Sequence, residues 1–203
     1  MVIPAILTNR KSELLEEISI VENLSEKVHI DIMDGTLTKE TTLPLKEIPD
    51  IEGIKVELHL MVKTPSLYKE DILRLKPEVI IIHVEIPDFE NEVEKLRGDW
   101  KIFAGIDLNT NISDQQKYTS VVDGFLIMAV EIGRSGQSFN REVLNKVAFL
   151  KKELVKTVEI DGGVNKDNIK TIMDSGASYA VSHSSIYKTQ NIEDAIFTLN
   201  SIS

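Results

Sequence analysis

The sequence predicts an α/β protein folded as a single-domain (β/α)8 TIM barrel over residues 1–203, and three observations predict it. Eight short β-branched runs recur at intervals of roughly two dozen residues. Helix-compatible stretches separate most of them. No linker, low-complexity tract or shift in composition divides the chain. Alternating strand and helix patterns imply a parallel sheet covered by helices. A count of eight favours closure, because an open doubly wound sheet usually has about five or six strands.

In chain order the strand candidates are VIPAIL from Val2, KVHIDIM from Lys27, IKVELHLMV from Ile54 and VIIIHVE from Val79. KIFAGIDL from Lys101, GFLIMAVE from Gly124, TVEIDGG from Thr157 and YAVSHS from Tyr179 complete the set. Helical patterns cover residues 11–23, 66–75, 140–154, 166–175 and 192–202, with shorter segments at 89–97 and 113–118. Functional groups of such barrels sit at the C-terminal ends of the strands. Polar residues at those ends therefore outweigh polar residues elsewhere.

The bulk numbers narrow the function. A chain of 203 residues with 42% hydrophobic content can bury one core. No apolar run is long enough to span a bilayer, and the N-terminal MVIPAILTN lacks the layout of a secretory signal. The absence of cysteine excludes a disulfide scaffold and a thiolate metal site and sits most easily with a cytoplasmic enzyme. A net charge of −10 argues against a nucleic-acid partner, yet leaves room for a small phosphorylated ligand held by backbone N–H groups. Neither a membrane nor a nucleic acid is expected as a partner, and a homo-oligomer is left open.

Only four histidines occur, His29, His59, His83 and His183, all in or at the end of strand candidates. A period of two puts His29, Asp31 and Met33 on one strand face, and His59 with Met61 on another. Asp161 ends the seventh run just before a glycine pair. Two imidazoles and two carboxylates at strand ends suit one divalent ion of zinc, iron(II), manganese or cobalt. The competing reading is a hydrogen-bonded core cluster, and for His83 that reading is preferred. Against it for the set of four, carboxylates buried in apolar strands are costly unless paired or metal-bound. Gly162 and Gly163 after the seventh strand, and Ser184 after the eighth, occupy the usual phosphate loops of this fold. Asn165 is a candidate cap for the helix that follows, and the sixth strand ends in another glycine-bearing turn, EIGRSGQ.

PAIL at Pro4, HIDIMDG at His29, LHLMV at Leu58, HVE at His83, IMAVE at Ile127, EIDGGV at Glu159 and VSHSSIY at Val181 follow one another in order. Together they resemble the ribulose-phosphate 3-epimerases across most of the chain. HIDIMDG followed by HLMV and DGGV is far more specific than any one piece. The resemblance implies a metal held by His29, Asp31, His59 and Asp161, with Asp31 and Asp161 as the two acid/base catalysts. It also implies that Met33, Met61 and Met128 line the site, and that His59, Gly133, Gly136, Gly162, Gly163 and Ser184 contact a phosphorylated ketose.

Several positions depart from that pattern. Ala5 stands where the family carries a serine, and Ile132-Gly133-Arg134-Ser135-Gly136-Gln137 replaces a Pro-Gly-Phe-Gly-Gly-Gln loop. His183-Ser184 replaces Gly-Ser, Thr38-Lys39-Glu40 replaces Val-Pro-Asn, and Asp107 brings a carboxylate to the end of the fifth strand. None touches the four metal positions. The default substrate pair is ribulose 5-phosphate and xylulose 5-phosphate. A hexulose or tetrulose phosphate, or a non-catalytic sugar-phosphate-binding homologue, is the alternative. The decarboxylase branch of similar barrels carries an Asp-x-Lys-x-x-Asp strand, and Met33 stands at the lysine position here.

Overall fold

The computed structural model describes residues 1–133, 136–154 and 156–203. Eight strands, β1 (Val2–Ile6), β2 (Lys27–Met33), β3 (Lys55–Met61), β4 (Val79–His83), β5 (Lys101–Ile106), β6 (Gly124–Met128), β7 (Thr157–Asp161) and β8 (Tyr179–Ser182), form a closed barrel in sequence order. Every neighbouring pair is parallel, including the closing pair β1·β8. No helix among the described residues is long and apolar enough to cross a membrane.

The two-residue alternation of each strand divides the core into two compartments. In β4, Ile80 and Ile82 face outward into the large apolar layer under the helices. Val79 and Ile81 face inward with Ile3, Ala5, Phe103, Leu126 and Val181. Parallel strands buried on both faces read as continuous apolar runs, which is why VIIIH contains no polar residue until its last position. Outside, Leu14, Ile18 and Val21 give helix α1 (Lys11–Val21) a buried stripe at helical spacing.

The remaining helices are α2 (Lys69–Leu75), α3 (Phe89–Lys95), α4 (Val143–Leu154), α5 (Ile169–Asp174), α6 (Ser184–Tyr187) and α7 (Ile192–Ile202). Three expectations need correction. Residues 66–75 split into a 3-10 turn, Pro65–Tyr68, and α2. Residues 113–118 belong to a 3-10 segment, Ser113–Ser120; SDQQKYTS buries only Gln115 and has no apolar stripe with which to dock an α-helix. The segment 166–175 is helical only from Ile169, because its first residues are engaged in side-chain-to-backbone bonds described below.

Candidate functional site

Strand register assembles the site. Asp31 of β2 lies beside His59 of β3, and Met33 beside Met61. Across the barrel, Met128 of β6 lies beside Asp161 of β7. Inward alternation then aims His29, Asp31, His59 and Asp161 at one point, with one donor atom from each and all four atoms within 4.8 Å of one another. Asp31 Oδ1 is 2.9 Å from His59 Nδ1 and 3.3 Å from His29 Nε2. Asp161 Oδ2 is 3.8 Å from the same His59 nitrogen. The two imidazoles meet edge-on, with ring centroids 5.0 Å apart.

The electrostatics are those of a crowded anionic cage. Burial pushes the Asp31 carboxyl up, but hydrogen bonds with His29 and His59 outweigh it and hold the group below its usual range. Asp161 has weaker support, from the charge of His29 and the Gly162 N–H. Burial, with the negative charge of Asp31 second, raises it to about 7. His59 is lowered to about 4, chiefly by burial. His29 also loses water, yet its bonds to Asp31 and Glu57 lift it well above the ordinary value. Two desolvated carboxylates beside two imidazole nitrogens form the donor chemistry of a hard-to-borderline divalent cation. A cation there would supply the charge that Asp161 otherwise lacks, so the residues fit the group.

Behind each imidazole stands a carboxylate that the sequence reading did not single out. Glu57 Oε1 is 2.7 Å from His29 Nδ1, and both side chains are fully buried. Glu57 also faces Lys27 Nζ at 3.4 Å, and that ammonium lies 3.7 Å from Glu159 Oε1 and 4.2 Å above the Tyr179 ring. Burial, then the charge of Glu57, drives the Glu159 carboxyl well above its ordinary value. His83, expected as a hydrogen-bonded core residue, is buried with Nε2 2.8 Å from His59 Nε2. Its Nδ1 is 3.2 Å from Glu85 Oε2. The available signal was the period of two: Lys27, Glu57 and Glu159 each lie two residues from a histidine or aspartate already noted, hence on the same strand face, while Glu85 stands in the turn just past β4.

Above the cage opens a pocket whose walls include Met33, Met61 and Met128. These are almost fully buried and present thioethers rather than polar groups. Asp31 and Asp161 reach into it, whereas Gly133, Gly136, Gly162, Gly163, His183 and Ser184 line its rim. His29 and His59 lie wholly buried and do not line the pocket. Ala5 lines the wall where the family serine would stand. Gly163 adopts φ +67°, and a Cβ there would sit 2.6 Å from the Phe139 backbone nitrogen, so only glycine lets these two loops meet.

Two readings of this rim change, and a third falls outside the described residues. Asn165 does not cap α5; its Oδ1 accepts from the Asp167 N–H, and Asn168 Oδ1 accepts from the Asn165 N–H. Both asparagine amides donate to the Gly163 carbonyl instead, at 3.2 and 2.9 Å, which fixes the loop directly. Asp107 is not part of the pocket lining. Its backbone N–H donates to Glu85 and its carbonyl accepts from Lys146 on α4. Arg134, in the loop where the sequence departs from the family pattern, lies outside the described residues.

Comparison with known proteins completes the picture. Residues 1–187 match the family model described as "Ribulose-phosphate 3 epimerase family". A Helicobacter pylori protein named ribulose-phosphate 3-epimerase is 32% identical over 99% of this chain and 97% of its own length. The Synechocystis protein of the same name is also 32% identical, over 97% of this chain and 91% of that protein. Among solved structures, orotidine 5'-phosphate decarboxylase from Pyrococcus horikoshii superposes with a TM-score of 0.72 over 100% of this chain and 98% of that one. A 3-hexulose-6-phosphate synthase superposes with a TM-score of 0.70 over 100% and 99%. At 11% and 14% identity, these two share the barrel alone.

Proposed function

The chain belongs to the ribulose-phosphate 3-epimerase family, and we infer that it is a metal-dependent isomerase that inverts C3 of a ketose phosphate. Ribulose 5-phosphate and xylulose 5-phosphate are the default pair. The observation that carries this reading is the placement of two carboxylates, from β2 and β7, around one point at the pocket floor. Epimerisation beside a ketone requires a proton to leave one face of C3 and another to arrive on the opposite face. One aspartate takes the C3 proton, and the C–H electron pair moves toward the C2 carbonyl to give an enediolate. The other aspartate, protonated, delivers its proton from the far side. In the reverse direction the two exchange roles.

His29, Asp31, His59 and Asp161 would hold one divalent ion of zinc, iron(II), manganese or cobalt. Such an ion supplies Lewis-acid stabilisation of the negative charge that builds on the substrate oxygens. Met33, Met61 and Met128 exclude water from the reacting carbons while tolerating the shift of charge. Gly133, Gly136, Gly162, Gly163 and Ser184 receive the phosphate. The active site works as a soluble catalyst, with a small phosphorylated sugar as its partner.

The test is solvent exchange at C3. In deuterated water with added zinc, manganese or iron(II), ribulose 5-phosphate is expected to gain one deuterium at C3 as xylulose 5-phosphate appears. A parallel panel of hexulose and tetrulose phosphates ranks the substrates by kcat/KM. Absence of exchange with every ketose phosphate, despite bound ligand, favours the non-catalytic homologue instead.

A further inference from the structure

We propose that His83 and Glu85 are positioning residues for His59, forming a relay that fixes which His59 nitrogen carries the proton and so leaves the other free for the cation. The proposal rests on the metal-site reading above and extends it to residues outside the ligand set.

A neutral imidazole has one N–H and one lone pair. His59 Nδ1 faces Asp31 and Asp161, so ligation needs the lone pair there and the proton on Nε2. Nε2 points at His83 Nε2, 2.8 Å away, and nothing but an acceptor can face that N–H. His83 must then keep its own proton on Nδ1, which is directed at Glu85 Oε2 at 3.2 Å. One carboxylate at the end of the row thus sets two tautomers in sequence. Metal-bound histidines ordinarily hand their second N–H to a carboxylate or carbonyl. His29 does so directly, through Glu57. His59 does so at one remove.

The surroundings are built for this row. The His59 and His83 ring planes lie within 24° of each other, and the 5.1 Å between centroids is the span of two rings meeting nitrogen to nitrogen. The neighbouring strand offers Gly105 opposite His83. A Cβ at Gly105 would lie 3.1 to 3.3 Å from three atoms of the His83 ring, so the missing side chain makes room for the imidazole. Glu85 is held in turn: its Oε1 accepts from the Asp107 N–H at 2.9 Å and from Thr110 Oγ1 at 2.5 Å, leaving Oε2 for His83. Lys146 Nζ then donates to the carbonyls of Asp107, Leu108 and Thr110, tying that loop to α4.

Competition between the metal-free protein and a chromophoric chelator for zinc measures the effect without assaying turnover. His83→Leu keeps bulk but removes the acceptor, and the zinc dissociation constant is expected to rise about ten- to hundredfold. His83→Gln returns a carbonyl acceptor near the same place and should recover most of that loss. Glu85→Gln, at a side chain one-quarter exposed, carries the test if the buried substitution prevents folding, and should weaken zinc severalfold. A long-range ¹H–¹⁵N correlation on the zinc-loaded wild type should show His59 protonated on Nε2 and His83 on Nδ1. The relay is overturned if His83→Leu, or Glu85→Gln where the first does not fold, binds zinc within twofold of wild type. It is equally overturned if His83 carries its proton on Nε2. A wild-type protein that takes up no zinc, manganese or iron(II) sinks the metal-site reading itself, and the relay with it.

Discussion

Asp31 and Asp161 are the same residue type in different surroundings, and that difference decides what each substitution should do. Asp31 lies against two imidazole nitrogens, whereas Asp161 is desolvated with a like charge nearby. Asparagine preserves the shape and one oxygen of either side chain but cannot act as a base near neutral pH. Asp31→Asn and Asp161→Asn should each reduce epimerisation by about two orders of magnitude or more, the usual worth of a general base. A two-base scheme demands more than lost rate. Each variant should still exchange the C3 proton of one epimer with solvent, and the two variants should act on opposite epimers. Single-epimer exchange in deuterated water, followed by NMR alongside metal content, makes the check. Near-normal inversion by either variant with its metal still bound would reduce that aspartate to a ligand.

At the scale of elements, the strands were legible because their signal is redundant: β-branched runs, buried on both faces, at a steady interval. The four cage residues were legible for the same reason, since period-two alternation in HIDIM, ELHLM and TVEID leaves no choice of face. The loops were not. Asn165 looks like a cap in sequence, but its amide and that of Asn168 donate to the Gly163 carbonyl, a pairing that depends on how the chain turns after β7. The contact of Gly163 with residues 137 and 139 is equally invisible, because it joins two different loops. That contact yields a prediction. Gly163→Ala places a Cβ 2.6 Å from Phe139 N and 3.0 Å from Gln137 O at a φ of +67°, so one loop must move. KM for the ketose phosphate should rise about tenfold or more, roughly 1.4 kcal/mol of binding, while kcat falls less. Steady-state kinetics settle the point, and an unchanged KM with only a lower melting temperature would place the phosphate elsewhere.

Over the whole molecule, the barrel interior is a stack in which polar and apolar groups divide by position around the circle. Ile3, Val79, Ile81, Phe103, Leu126 and Val181 form the apolar sector. Lys27, Glu57 and Glu159 form a charged sector one pleat toward the strand N-termini from His29, His59 and Asp161. The same strands that carry the site therefore also carry the charges beneath it, and the lower set does not line the pocket. Removing one partner of a buried ionic group leaves the others uncompensated, which ordinarily costs more than the intact group contributed. Among the described residues Lys27 is the ammonium of that sector, with a side chain 11% exposed between two fully buried carboxyls. Lys27→Met should lower the unfolding free energy by about 3 kcal/mol, read as a fall in urea midpoint at constant m. Adding Glu159→Gln removes the carboxyl that Lys27 faces at the longer distance, so the double variant should regain part of the loss, a coupling that a thermodynamic cycle isolates. If Lys27→Met leaves the midpoint where it was, the ammonium is solvated at the barrel mouth, and Glu57 must be balanced by His29 alone.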